Sequence, residues 1–285
     1  MPTYGTTICL LVTTLISPAL ATPPEGYALV WADEFDIDGP PDSSKWSFEH
    51  GFKRNNEDQW YQSENAVCRD GRLVIEARRE RRENPQHEPS SGDWRRNRPH
   101  AEYTSSLIRS RGKFDFLYGV LEVRARIDAR QGLWPAIWTL GNGPWPACGE
   151  VDLMEHKQGT LLANACWATP PGKWERKDGS TWDAHQRPLS EVGPEGWADD
   201  FHVWRMDWNA DRIVLSVDDL VLNEIDLTAI AKPKDRPHPF RHPHYVLLNL
   251  AIGGDGGGDP SETEFPGKFE VDHVRVYQPA NSGRK

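Results

Sequence analysis

A two-residue alternation of apolar and polar side chains is the dominant pattern of this 285-residue chain. In residues 121–127 (LEVRARI) it is strict, which predicts a strand with one buried and one solvated face. Six further segments alternate in a similar way: residues 72–78, 201–208, 212–217, 220–225, 245–252 and 269–277. No segment of ten or more residues has a 3.6-residue apolar period. Many short strands without helices predict a β-sandwich or a β-barrel.

The composition excludes several classes of protein. The chain has 43 acidic and 33 basic side chains, a net charge of −10, which disfavours binding to a nucleic-acid backbone. A mean hydropathy of −0.69 excludes a multi-span membrane protein. We therefore expect no nucleic-acid partner and no membrane partner. We also expect a monomer, although composition does not bear on the oligomeric state. The 13 tryptophans predict exposed aromatic platforms in addition to core residues.

The N-terminal residues 1–21 have the pattern of an export signal. A short apolar run over residues 8–16 precedes Ala19-Leu20-Ala21, which fits an A-x-A cleavage site. The run lacks a preceding basic residue, the first being Lys45, and a disordered N-terminus is the alternative. We predict a secreted protein, extracellular or periplasmic, with a single catalytic domain over residues 22–285.

Three cysteines follow the signal: Cys68, Cys148 and Cys166. Export permits a Cys148–Cys166 disulfide if their strands are neighbours. Buried free thiols are the alternative, and the spacing matches no zinc motif.

Two segments interrupt the alternation. Residues 81–99 are polar and contain three prolines, and residues 169–200 combine four prolines with Trp174, Trp182 and Trp197. Both are predicted to be long loops, and long loops in compact domains are often functional. We expect the second loop to fold over a binding site.

Three acids in six residues mark the segment with the clearest chemistry, in the sequence GEVDLMEH. A regular strand places Glu150 and Asp152 on one face and Glu155 on the other. One extra residue in a β-bulge returns Glu155 to the face of the other two acids. We expect one of Leu153 and Met154 to face the core and the other to take up the bulge. The three acids then line one face of a sheet.

A row of like charges is costly unless it serves a reaction. Hydrolysis of a glycosidic bond requires two flanking carboxyl groups, which lie about 5–5.5 Å apart in retaining enzymes. One must be ionised as the nucleophile, and the other needs a raised pKa to donate a proton. The alternatives are surface charge on an edge strand and a metal site that includes His156, which we interpret instead as a structural histidine.

The segment from Glu150 to Glu155 resembles the E-x-D-x-x-E signature of glycoside hydrolase family 16, in its β-bulged branch of laminarinases and agarases. The likeness runs from about residue 27 to 278. It also includes residues 31–35 (WADEF), 55–61 (NNEDQWY), 112–114, 118–119, 132–138 (GLWPAIW) and 271–277 (VDHVRVY). The resemblance implies a β-jelly roll of two curved antiparallel sheets with an open cleft. It also implies that Glu150 is the nucleophile, Asp152 its supporting acid and Glu155 the acid/base of an enzyme acting on a polysaccharide.

The candidate substrate-binding residues are mostly tryptophans, because the C–H face of a sugar stacks on an indole ring. The resemblance implies that Trp134 faces the cleft, and that Asn55, Asn56 and Glu57 contact sugars on the non-reducing side. Asn55-Asn56 is equally a good turn. The remaining candidates are Arg54, Trp138, Trp167, Trp174 and Trp182, with Trp60 and Trp145 as further possibilities. We assign Trp31, Trp46, Trp204 and Trp208 to the core.

The chain departs from the laminarinase pattern at three places. Asn164-Ala165-Cys166 stands in the region of a usual His-Thr, Val120 replaces the arginine of Tyr-Gly-Arg, and residues 253–258 lack the usual tryptophan. These departures concern sugar recognition and leave the acids intact.

An endo-β-1,3-glucanase is the function that the sequence favours. An endo-β-galactanase acting on β-1,3-galactan or algal galactan is the close alternative. A non-catalytic carbohydrate-binding jelly roll is the alternative from another class, although it would usually have lost Glu150 or Glu155. A transglycosylase shares the same residues. No cofactor is expected, and a structural calcium at Asp272 is left open because some relatives bind one near the last strand.

Overall fold

The computed structural model describes residues 23–169, 179–231 and 238–280, and strands dominate these residues. The strands are β1 (Tyr27–Asp33), β2 (Ser47–Phe48), β3 (Gln59–Tyr61), β4 (Ala66–Cys68), β5 (Leu73–Glu83), β6 (His100–Ser105), β7 (Leu107–Arg109), β8 (Gly119–Arg126), β9 (Leu133–Gly141), β10 (Glu150–Lys157), β11 (Thr160–Ala168), β12 (Ser180–Pro188), β13 (His202–Trp208), β14 (Arg212–Val217), β15 (Leu220–Asp226), β16 (His244–Ile252) and β17 (Gly267–Pro279). Two single-turn helices are α1 (Trp94–Asn97) and α2 (Gly254–Gly257), and 3-10 turns cover Ser63–Asn65, Leu189–Glu191 and Trp197–Asp199. None of the helices in these three ranges is long and apolar enough to cross a membrane.

The strands form two packed sheets, which confirms the predicted jelly-roll sandwich. The larger sheet has the order β15-β14-β13-β8-β17-β5-β6-β3, with β1 beside β17 and β4 beside β5. The smaller sheet has the order β12-β11-β10-β9-β16-β7-β2. The strand pairs are antiparallel except for β3 with β6, which run parallel and depart from the all-antiparallel expectation.

All seven strands predicted from alternation are present. They correspond to β5, β8, β13, β14, β15, β16 and β17, and β14 has the predicted limits. In β8 the charged side chains of Glu122, Arg124 and Arg126 are half-buried, and the apolar residues between them are buried. Asp218 has a φ of 48° and turns the chain between β14 and β15.

The prediction of two long loops is wrong in part. Strand β5 continues to Glu83, and β12 occupies residues 180–188 within the second segment. Strand β12 reads STWDAHQRP and pairs with β11 over nine residues at the edge of the smaller sheet. An edge strand with half-exposed and exposed side chains has no apolar alternation to detect. Trp197 does not reach the cleft, because its ring stacks on His202 at 3.6 Å.

The main core lies between the two sheets. Trp46, Trp204 and Trp208 are buried there as predicted, and Trp31 packs against them partly exposed. A second, smaller cluster covers the other face of the smaller sheet: Tyr61, Leu107, Ala136, Trp138, Tyr245 and Leu247. Apolar cover on both faces explains why all nine residues of β16 are buried.

The cysteines are buried. Cys148 is a free thiol, so the Cys148–Cys166 disulfide that the sequence left open is not formed. Burial, assisted by the negative charge of Glu150, raises the pKa of Cys148 to about 11. The predicted export signal lies outside the described residues.

Candidate active site

A β-bulge interrupts β10 in the middle of the acid row, as the spacing predicted. Towards β9, the pairing moves from Asp152–Trp138 directly to Met154–Ile137, so one residue of β10 is extra. The same shift occurs against β11, between Asp152 and Glu155. Both apolar residues of the bulge are buried in the main core, where the sequence placed only one of them. The bulge brings all three acids to the outer face of the smaller sheet.

This face forms a cleft with a volume of about 520 Å³. The three acids line it together with six of the predicted substrate-binding residues: Arg54, Asn55, Glu57, Trp134, Trp138 and Trp182. The cleft therefore combines carboxyl groups with indole rings and amide groups, which are the partners that a sugar requires.

Glu150 lies at the end of the row nearest the loop before β10. The indole nitrogen of Trp145 donates a 2.6 Å hydrogen bond to Oε2 of Glu150. Burial, and secondly the charge of Glu155, raises the pKa of Glu150 to about 7. Hydrogen bonds from Trp145 and Asp152 and the positive charge of Arg54 act in the opposite direction. Burial and the charge of Glu155 therefore disfavour the ionised form of Glu150, whereas Trp145, Asp152 and Arg54 favour it.

Asp152 is the most deeply buried acid of the row, with 2% of its surface exposed. Burial raises its pKa well above the usual value, and the charges of Glu155 and Glu150 add to the effect. Two neighbours lower the pKa of Asp152 in part. One is the positive charge of Lys157, and the other is the Asn164 amide, whose Nδ2 donates to Oδ2 of Asp152 over 3.2 Å. Burial therefore favours the protonated form of Asp152, which can donate a hydrogen bond.

Glu155 is held at both oxygens. Nε1 of Trp134 donates to Oε1 over 2.8 Å, and Nζ of Lys157 lies 3.2 Å from Oε2. The same ammonium group lies 4.1 Å from the centre of the Trp134 ring, and a Cβ on Gly256 would come within 2.8 Å of that ring. With 6% of its surface exposed, Trp134 orients Glu155 and offers little surface for stacking.

The loop before β3 brings Asn55 and Glu57 to the cleft but not Asn56. Nδ2 of Asn55 donates to Oε1 of Glu57, whose other oxygen accepts 2.7 Å from Gln59. Asn56 is exposed, is not among the lining residues, and donates to Asp255 over 3.0 Å. Both asparagines have positive φ, 54° and 50°, as the turn interpretation predicts, and the side chain of Asn56 points to Asp255 instead of lining the cleft.

Arg54 and Trp138 form a packed part of the cleft wall. Arg54 forms an ion pair with Glu49, and its guanidinium carbon lies 5.4 Å from the centre of the Trp138 ring. Nε1 of Trp138 donates to Oδ1 of Asn249 over 2.7 Å. These contacts fix the two side chains before any sugar binds.

The two tryptophans on the outer strands face opposite ways. Trp182 lines the cleft, and its Nε1 donates to the Ser180 hydroxyl over 3.0 Å. Trp167 lies on the core face of β11 and packs edge-on against Phe240 at 6.0 Å, so its prediction as a substrate-binding residue is wrong. The prediction for Trp174 lies outside the described residues.

Several lining residues were not assigned from the sequence. Trp145 was only a further candidate, and Lys157 was missed although it follows Glu155 by two positions on the same strand. That two-residue spacing was a usable signal. Asn249 faces the cleft because β16 pairs it with Ala136 of β9, a relationship that sequence periodicity does not contain.

Among the described residues, no group of three or more His, Cys, Asp or Glu side chains is arranged so that it could hold a metal ion. Asp272 lies 3.3 Å from Arg124 and 2.9 Å from His273, and this cationic neighbour does not fit a calcium ligand. His156 is buried, its Nε2 accepts from the Gly159 amide, and burial lowers its pKa to about 4. It is a structural histidine.

A row of carboxyl groups in an open cleft on a jelly roll, bordered by indole rings, is the site of a glycoside hydrolase. The chain belongs to glycoside hydrolase family 16, because the model described as "Glycosyl hydrolases family 16" matches residues 53–275. The resemblance found in the sequence is thus confirmed, and the protein is a glycoside hydrolase.

Relatives within the family act on different glycans. The chain is 35% identical to a β-glucanase of Rhodothermus marinus over 277 residues, 88% of this chain and 85% of the relative. The endo-β-1,3-glucanase of Pyrococcus furiosus superposes with a TM-score of 0.72 at 32% identity, covering 88% and 94% of the two chains. A structure from work on endo-acting O-glycanases of the human gut microbiota that initiate mucin breakdown superposes with a TM-score of 0.81 at 32% identity, covering 91% and 93%.

Proposed function

We propose that this enzyme is a retaining endo-glycoside hydrolase that cleaves internal bonds of a β-1,3-linked glucan. The observation that carries the proposal is the bulge of β10, which places Glu150, Asp152 and Glu155 side by side in a cleft. The β-glucanase and endo-β-1,3-glucanase relatives support the choice of substrate. A cleft on the face of a sheet also suits a chain that extends beyond the cleavage site at both ends.

The environment of the acids supports separate roles. In the first step Glu150 attacks the anomeric carbon, while Glu155 gives a proton to the departing sugar oxygen. In the second step Glu155 takes a proton from water, and the resulting oxygen attacks the same carbon and releases Glu150. Trp145 and Asp152 donate hydrogen bonds to Glu150, which favour its ionised form. Trp134 and Lys157 fix the position of Glu155.

Polar and aromatic groups at the two sides of the acids are suited to bind the sugar chain. Asn55, Glu57 and Arg54 offer an amide, a carboxyl group and a guanidinium on one side. On the other side, Trp182 of β12 offers an indole ring in the same row as Glu150, because Trp182 pairs with Cys166, and Cys166 with Glu150.

A β-galactoside in a polysaccharide or O-glycan is the second candidate substrate. The larger TM-score with the O-glycanase structure, 0.81 against 0.72 at equal identity, favours the O-glycan form of this candidate. The departure from the laminarinase His-Thr in the region of Asn164-Ala165-Cys166 weakens the glucan assignment, because Asn164 and Cys166 lie on the cleft face of β11 opposite Asp152 and Glu150.

The proposal includes location and assembly. The apolar run and Ala19-Leu20-Ala21 support export of the chain, and a polysaccharide substrate outside the cell requires it. We propose a secreted monomer. N-terminal sequencing of protein from the culture medium should begin after Ala21, and light scattering should give the mass of one chain.

The test is digestion of a panel of laminarin, lichenan, β-1,3-galactan, keratan sulfate and mucin O-glycans, with the products sized. Laminarin should give a series of short oligosaccharides from the earliest time points, as internal cleavage requires. The Glu150→Gln protein is the control for contaminating enzymes. Cleavage of galactosides with laminarin left intact would replace the first candidate by the second, and no cleavage of any glycan would overturn both.

A further inference from the structure

Asn164 stands directly opposite Asp152 in the register of β10 and β11. Its side chain is 3% exposed, and Nδ2 donates to Oδ2 of Asp152 over 3.2 Å. The other end of the amide, Oδ1, is buried and has no partner among the described residues. A buried acceptor without a partner is unfavourable for stability, so packing alone does not account for an asparagine at this position.

The single hydrogen bond of Asn164 decides where Asp152 can carry its proton. A protonated carboxyl group has one O–H donor, and its other oxygen accepts. Because Oδ2 of Asp152 already accepts the amide hydrogen, the proton is favoured on Oδ1. Asp152 hydrogen-bonds Glu150, whose Oε2 is occupied by the Trp145 indole. The O–H of Asp152 is therefore available to donate to the Glu150 carboxylate, which accepts hydrogen bonds from both Trp145 and Asp152.

We propose that Asn164 is a positioning residue that fixes the proton of Asp152 on the oxygen facing Glu150 and thereby keeps Glu150 ionised for attack. The inference deepens the proposed glycoside hydrolysis and rests on it. It gives a specific role to a residue at which this chain departs from the laminarinase pattern.

The other groups around Asp152 and Glu150 come from several elements of the fold, and their charges also act on the two carboxyl groups. On β10 they are Glu155 and Lys157, and from the loop before β3 it is Arg54. The facing residues of the neighbouring strands β9 and β11, Trp138 and Cys166, lie beside Asp152 and Glu150. None of these supplies the amide hydrogen that selects between the two oxygens of Asp152.

Asn223 provides a control for the loss of a half-buried amide that bonds across strands. Its Nδ2 donates to the carbonyl oxygen of Ala163 and to Oδ1 of Asp183, each at 3.0 Å, and so joins β15 to β11 and β12. This is a structural role, and Asn223 is not among the residues that line the cleft. Asn223→Leu should lower the melting temperature and leave the pH profile of the enzyme unchanged.

The experiment measures kcat/KM against pH for the wild type, Asn164→Leu, Asn164→Thr and Asn223→Leu on the glycan that the wild type cleaves fastest. In Asn164→Leu the ionised form of Glu150 loses support, so the acidic limb should move up by about 0.5–1 pH unit. At a pH below that limb the rate should fall about 3–10-fold. Asn164→Thr keeps an O–H donor, so it should shift the limb less. The melting temperature of Asn164→Leu should be no lower than that of Asn223→Leu.

An acidic limb in Asn164→Leu that coincides with the wild type, or an equal shift in Asn223→Leu, would overturn the proposal. Should Asn164→Leu fail to fold, Asn164→Ala, which also lacks the amide hydrogen, takes its place, and an unshifted limb with a lowered melting temperature would assign Asn164 a structural role. A wild type inactive on every glycan would instead defeat the proposed hydrolysis itself, and the inference with it.

Discussion

The indole Nε1 of Trp145 donates a 2.6 Å hydrogen bond to Oε2 of Glu150. At the other end of the acid row, Nε1 of Trp134 donates over 2.8 Å to Glu155. Each of the two acting acids is thus oriented by a tryptophan that is itself part of the cleft. Trp145 is 44% exposed, whereas Trp134 is buried, so only Trp145 can also present its ring to a sugar.

Replacing Trp145 by Phe should move the acidic limb of kcat/KM to higher pH. The substitution keeps an aromatic ring and removes the N–H that favours the ionised form of Glu150, whose pKa is about 7. Loss of one hydrogen bond to a charged group is worth about 1.5–3 kcal/mol when buried, and we expect about 1 pH unit at this exposed loop. Trp60→Phe, outside the cleft residues, is the control. An unshifted limb in Trp145→Phe would show that this hydrogen bond does not govern the ionisation of Glu150.

Glu150→Gln should stabilise the protein at neutral and alkaline pH. The folded structure raises the pKa of Glu150 from 4.5 to about 7, so the native state holds its proton where the unfolded state has lost it. The free-energy cost of ionising Glu150 in the folded protein therefore grows as the pH rises from 4.5 to about 7, and it is fully present above that range. We expect the amide to raise the free energy of unfolding by on the order of 2 kcal/mol at pH 8, and by little below pH 4.5.

Urea unfolding at the two pH values measures this effect. The control is Glu224→Gln on the exposed side of β15, where the partner Arg212 is also exposed and the pair contributes little. A Glu150→Gln protein that is less stable than the wild type at pH 8 would contradict the electrostatic description of the site.

Glu150→Gln and Glu155→Gln should each abolish nearly all turnover while the fold is retained. An amide can neither attack the anomeric carbon as a carboxylate does nor transfer a proton, and positioned acid catalysis alone is worth about 10²–10⁴-fold. Initial rates on the best glycan and circular dichroism on the same preparations give the answer. A variant that keeps more than about a tenth of the wild-type rate has not lost a catalytic group.

Trp182→Ala should raise KM more than it lowers kcat, because a stacking contact binds the ground state and the transition state alike. The size should be about 1–3 kcal/mol, by analogy with stacking of bases on aromatic side chains. Trp167→Ala on the neighbouring strand is the matched control, since its ring packs on the core side against Phe240. That variant should lower the melting temperature and leave KM unchanged. A raised KM in Trp167→Ala together with an unchanged KM in Trp182→Ala would show that the cleft faces of β11 and β12 are assigned wrongly.

The features that could be predicted from the sequence depend only on the spacing of residues that are close together in the chain. Period-2 alternation located the strands that have one polar face, and the positions of Glu150, Asp152 and Glu155 required the bulge that the structure contains. The bulge is local because a single extra residue restores the acids to one face.

The features that escaped prediction depend on pairing between distant strands. Strand β12 has no apolar alternation and is recognisable only by its partner β11. Asn249 reaches the cleft through the register of β16 with β9, and Asn56 is directed to Asp255, 199 residues further along the chain. Trp167 was assigned to the cleft because its chemistry suits a sugar, but the side of the strand it occupies was not known.

The anomeric form of the first product tests the central claim most directly. If Glu150 forms a covalent intermediate and Glu155 activates water in the second step, cleavage of a β-linked glycan must release the β-anomer first. Proton NMR of the reducing ends within the first minutes of digestion should therefore show the β-anomer alone, followed by slow equilibration with the α-anomer. Initial release of the α-anomer would contradict the double displacement and the role of Glu150 as nucleophile.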